Sequence, residues 1–68
     1  MSEVKKFMRL PAVMEATGRG RSAIYDDIRH GRFPAPINIG PRAVAWDAAA
    51  IEQWQQKQIS AAMNVRRA

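Results

Sequence analysis

Cysteine is absent from the 68-residue chain and histidine occurs once, at position 30. Without thiols there are no disulfides and no thiolate ligands, and a lone imidazole is too little for a protein-built zinc site. A reducing cytoplasm is the expected compartment. Long apolar runs are also missing: nothing approaches the roughly 20 residues of a membrane-spanning helix. The opening MSEVKKFMRL has no apolar stretch long enough for a signal peptide, so no membrane partner is expected. Acids are few, six against eleven Lys and Arg, which leaves a net charge of +5 and points to a polyanion, nucleic acid first. Large side chains are scarce, with two Trp, two Phe and one Tyr. A chain this short buries only about 60% of its unfolded surface. One modest core follows, with little room for a deep catalytic cavity.

Catalytic groupings are missing too. His30 stands without a nucleophile or an orienting partner in sequence, and beside Gly31 it suits the last carbonyls of a helix. Asp26 and Asp27 are adjacent, so on a helix they point about 100° apart and cannot share one site. Gly18-Arg19-Gly20 lacks both the Lys-Ser/Thr and the preceding strand of a phosphate loop.

What the chain does contain reads as three helices and a hairpin. Pro11 suits the start of a first helix, with Leu10 packed just ahead of it, Val13, Ala16 and Thr17 at helical spacing, and Gly18 as its stop. The short connection Thr17-Gly18-Arg19-Gly20 suits two helices meeting steeply. A second helix is predicted from Arg21 to His30, ended by Gly31. Ile24 and Ile28 share its inner face, with Ser22, Tyr25, Asp26 and Arg29 opposite. Phe33-Pro34-Ala35-Pro36 breaks the helix. Ile37–Ile39 and Ala43–Trp46 then read as two short strands around Gly40-Pro41-Arg42. Such a ribbon needs a helix to pack on, and Phe33, Ile37 or Ile39, Val44 and Trp46 are the expected inward face. Asp47 is the expected N-cap of a third helix that turns Ile51, Trp54, Ile59 and Met63 inward. The expected organisation is an N-terminal arm (1–8), one domain (9–59), and a helix end or flexible tail (60–68).

A helix followed directly by a small hairpin with an arginine at its tip is the layout of a winged helix-turn-helix, an α+β and mostly α fold. Its helix can fill a major groove while the hairpin tip reaches the neighbouring backbone. Residues 1–10 carry +2 from Lys5, Lys6 and Arg9 against Glu3. Residues 31–46 carry +2 from Arg32 and Arg42, and 21–30 are neutral because Asp26 and Asp27 offset Arg21 and Arg29. A mixed helix leaves room for base readout. The candidate DNA-contacting residues are Arg19, Arg21, Ser22, Tyr25, Asp26, Arg29 and Arg42, with Lys5, Lys6 and Arg9 as electrostatic support. For any one of these cations ordinary solvation is the competing explanation.

The set Arg9-Leu10-Pro11, Val13, Thr17-Gly18, Arg21-Ser22-x-Ile24-Tyr25, Gly31-x-Phe33-Pro34-x-Pro36, Gly40-Pro41-Arg42-Ala43-Val44-x-Trp46 and Trp54 resembles the AlpA family of prophage-type regulators. The resemblance covers residues 8–59. It implies a small winged-helix module of phage or mobile-element origin, related to excisionases and MerR-like DNA-binding domains. Arg21-Ser22-x-x-Tyr25 then looks like the start of the recognition helix, Arg42 the wing-tip arginine, and Trp46 and Trp54 core residues. Two positions depart from the pattern. Gly20 stands where members commonly carry a capping Ser, a small loss. Asp26 stands where a basic or neutral residue is expected. That carboxylate can accept from a cytosine amino group, brace Arg29, or simply weaken phosphate contact. The leading expectation is a sequence-specific regulator that binds double-stranded DNA; a module this small contacts few base pairs, so a homodimer or tandem binding is expected, and no cofactor or metal is. The alternatives are an excisionase-like protein that bends DNA to direct recombination, and a protein-interaction adaptor whose basic face meets a recombinase or RNA polymerase.

Overall fold

The computed structural model describes the backbone of residues 4–67 and the side chains of residues 4–63. The element order is β1 (Phe7–Met8), α1 (Leu10–Thr17), α2 (Arg21–Arg29), β2 (Ile37–Gly40), β3 (Ala43–Asp47) and α3 (Ala48–Arg67). The three strands form an antiparallel sheet in the order β1-β3-β2. This is the expected α+β winged-helix plan with one strand more than the hairpin. Phe7 and Met8, in the segment read as an arm, pair with Asp47 and Trp46. The Ala48 N–H extends that ladder to the Lys6 carbonyl at 2.9 Å. A two-residue strand has too little alternation to show in sequence.

Local chemistry explains the helix ends. Arg9 is the extended N-cap of α1, so the helix begins at Leu10, one residue before the expected start. Pro11 still occupies the first turn, where its missing N–H costs nothing. Gly18 closes α1 at φ 72° and donates to the Met14 carbonyl. Gly20 caps α2 through backbone alone. At the far end of α2, Gly31 takes φ 74°. The N–H groups of Gly31 and Arg32 return to the carbonyls of Ile28 and Asp27 at 3.1 and 2.8 Å. These two bonds form a Schellman closure, which requires a left-handed residue that glycine adopts without strain. Asp47 caps α3 as expected, accepting from the Ala49 N–H at 3.0 Å.

The core is small. Val13 from α1, Ile24 from α2, Phe33 from the connector, Trp46 from β3 and Ile51 from α3 form one cluster, with Met8, Leu10, Met14, Tyr25, Ile28 and Trp54 packed around it. Each fully buried large side chain contributes about 1.5–3 kcal/mol. Trp46 is the largest, and its indole N–H donates to the Pro34 carbonyl at 3.0 Å. Trp54 sits at the edge, half-buried, with its ring 5.2 Å from Phe33 in a T-shaped pair. Gln55 fastens α3 to α1, donating from Nε2 to the Ala16 carbonyl at 2.9 Å.

Two expectations about inward faces are corrected. Ile37, Ile39 and Val44 are exposed, and the hairpin's buried residues are Ala45 and Trp46. Only the base of the ribbon lies over the helices, so alternation along its length has nothing to face beyond Trp46. Ile59 and Met63 are likewise 52% and 61% exposed. The 20-residue α3 outruns the body it packs against, and its apolar side continues past the last core contact.

Candidate nucleic-acid interface

The outer face of α2 is the most concentrated group of candidates. Arg21, Ser22, Ala23, Tyr25, Asp26 and Arg29 line one shallow concavity there. At 100° per residue this is the face opposite buried Ile24. The Arg21 guanidinium lies 5.9 Å from the centre of the Tyr25 ring, a cation–π contact that favours one placement of an otherwise mobile side chain. Tyr25 itself is half-buried, its ring edge-on to Trp46 at 6.2 Å. The tyrosine therefore joins the outer face to the core. Ser22 and Arg29 are exposed.

The sequence suggests that Asp26 and Asp27 offset Arg21 and Arg29, and the structure corrects this. Asp27 points inward and is 6% exposed. Its carboxylate accepts from Arg19 Nη1 at 2.6 Å and from Arg32 Nη2 and Nε at 3.2 and 3.3 Å. Arg19 in turn lies over the Trp54 ring at 5.5 Å. Arg19, read as a DNA contact, is thus committed to a clasp that joins the α1–α2 turn, α2 and the turn after it. Asp26 faces outward, with its oxygens 3.6 Å from His30 Nδ1 and 3.7 Å from Arg32 Nη2. It does not brace Arg29. Among the described residues no carboxylate lies within 4.0 Å of Arg21, Arg29 or Arg42. The acids of α2 therefore face Arg19, Arg32 and His30, outside the Arg21–Arg29 row, and that row keeps its two arginines.

His30 behaves as its place at a helix end suggests. Its Nδ1 lies 2.8 Å from the Asp26 carbonyl, and because a carbonyl only accepts, that nitrogen carries the proton.

Arg42 stands exposed in the two-residue turn between β2 and β3, where Gly40 and Ala43 are the last paired residues. Asn38 Oδ1 accepts from the Gly40 N–H at 3.1 Å, within a register shift that bends β2 just before the turn. Lys5, Lys6 and Arg9 are exposed around β1, on the opposite side of β3 from β2. Lys5 lies 4.0 Å from Asp47, and Arg9 supplies the α1 N-cap. None of these three cations lines the α2 concavity. Sequence reasoning missed the structural pairing of Asp27 with Arg19 and Arg32. The available signal was the position of Asp27, three residues after Ile24 and so at the border of the inner face.

A sheet whose central strand carries the core tryptophan, a helix pair joined by a three-residue turn and a basic-tipped hairpin define a small winged-helix domain. The chain belongs to the family of the prophage CP4-57 regulatory protein, AlpA, whose sequence profile matches residues 6–59. It is 38% identical over 56 residues to the uncharacterized protein ORF88 of Enterobacteria phage P4. That match takes in 82% of this chain and 64% of the phage protein, so the chain spans just under two thirds of that relative. It is also 34% identical over 55 residues to the DNA-binding transcriptional activator AlpA of Escherichia coli K12, covering 72% of this chain and 79% of the activator.

Proposed function

We propose that this chain is a sequence-specific transcriptional regulator that binds duplex DNA, with α2 in the major groove and the β2–β3 turn on the adjoining backbone. The observation that carries the reading is the outer face of α2. Two arginines with no carboxylate within 4.0 Å among the described residues flank a serine, a tyrosine and an acid on one concave surface. Base readout uses this mixture of donors and acceptors, whereas phosphate binding alone needs only cations. The net charge of +5, the exposed Arg42 and the name of the Escherichia coli relative support the same reading. Residues 9–59 then form the binding module. Arg21, Ser22, Tyr25 and Arg29 meet bases or flanking phosphates, Asp26 faces base edges, Arg42 meets the backbone, and Lys5, Lys6 and Arg9 add long-range attraction. The site of action is the cytoplasm.

A module this small spans few base pairs, so binding as a dimer or in tandem supplies the remaining specificity. Arg21→Ala tests the reading. It should weaken a cognate duplex by about 1–3 kcal/mol while leaving random duplex nearly unchanged in a fluorescence-anisotropy titration. Equal loss on both would make Arg21 a phosphate contact, and no loss on either would take α2 out of the interface.

A further inference from the structure

Resting on the DNA-binding reading of α2, we infer that Asp26 determines specificity at one base pair, where it selects cytosine by accepting a hydrogen bond from the exocyclic N4 amino group. The carboxylate shares the concavity with Arg21, Ser22, Tyr25 and Arg29, so it goes wherever those groups go. It is also flanked on both oxygens. His30 approaches one oxygen at 3.6 Å and Arg32 the other at 3.7 Å, and Arg32 is itself anchored on buried Asp27. A run of alternating charge, Arg19–Asp27–Arg32–Asp26, thus leads from the ring of Trp54 to the outer face of α2, with the His30 ring beside its last member. Both contacts to the Asp26 carboxylate are longer than a good hydrogen bond, and among the described residues its carboxylate oxygens make none. Its acceptor capacity is positioned and unspent.

An ionised carboxylate only accepts, and this restricts what it can face in a major groove. Guanine presents two acceptors, thymine an acceptor and a methyl group, and adenine a donor beside the N7 acceptor. Cytosine alone offers a donor with no acceptor next to it. Phosphates repel the carboxylate, so Asp26 penalises any register that brings it onto the backbone. Arg32 tempers that repulsion from the flank.

Selection of bound duplexes from a random-sequence pool, followed by sequencing, tests this with the wild-type chain, Asp26→Asn and Asp26→Ala. The wild type should enrich sites with one cytosine column. Asp26→Asn should move that column to adenine, whose N6 and N7 match an amide. Asp26→Ala should level it, reducing the preference for cytosine about 5- to 150-fold, with the other columns intact and the circular dichroism unchanged. A cytosine column that survives both substitutions, or a uniform gain in affinity for every duplex, would overturn the inference and leave Asp26 as a repulsive charge. Failure of the wild type to retain any duplex would overturn the DNA-binding reading and this inference with it. The two failures are therefore distinct.

Discussion

Trp46 and Trp54 are alike in sequence and unlike in place. Trp46 is wholly buried, hydrogen-bonded through its indole and touched by Tyr25, whereas Trp54 lies at the edge between Phe33 and Arg19. Trp46→Ala should cost about 3–5 kcal/mol, enough to unfold so small a domain. Trp54→Ala should cost less and leave a cooperative urea transition. Asp27 carries the other residue-scale prediction. Asp27→Asn keeps the shape and removes the charge that holds two arginines. Both partners are partly exposed, so solvent screening limits the loss to about 1–2 kcal/mol. Chemical denaturation would read it, and an unchanged midpoint would reduce the clasp to a surface pairing. Sequence reasoning found both tryptophans but not the clasp, because Arg19 and Arg32 are eight residues before and five after Asp27 and meet it only once both ends of α2 have turned.

The elements were mostly readable because each carries its own punctuation. Gly18 and Gly31 stop two helices, Asp47 starts the third, and Gly40-Pro41 turns the hairpin. Their inward faces were less readable. Period-two alternation in Ile37–Ile39 and Val44–Trp46 states that a strand has two faces without stating which one is covered. Likewise, the helical spacing of Ile51, Trp54, Ile59 and Met63 continues after the body has ended. The outer face of α2 was recovered because Ile24 and Ile28 fix its opposite side. The overhang of α3 leads to a prediction at this scale. Removing residues 61–68 should lower the helical signal in circular dichroism but change unfolding free energy by about 0.5 kcal/mol or less. A much larger loss in thermal melts would mean that this segment is covered by something in solution.

At the scale of the whole molecule, charge is arranged rather than spread. Asp26 and Asp27 lie beside His30, Arg19 and Arg32, while Arg21, Arg29 and Arg42 stand without an acid within 4.0 Å among the described residues. Binding should therefore weaken steeply with salt, at about 0.9 in the logarithmic slope for each phosphate neutralised. Arg42→Ala should lower affinity for every duplex and reduce the slope by about one unit without altering stability. An unchanged slope would remove the hairpin tip from the contact surface.

The unequal setting of the two indoles also has an optical consequence. An indole sealed in the core emits towards the blue and resists aqueous quenchers, while one at the surface emits further to the red and is quenched readily. Trp46 and Trp54 should therefore give the folded chain a composite emission whose components separate on adding acrylamide. Trp46 touches Tyr25, which lines the outer face of α2, whereas Trp54 lies against Arg19 and Phe33. Light from the buried indole should respond to events on α2, and light from the half-buried one to changes around α3, so a single spectrum observes both.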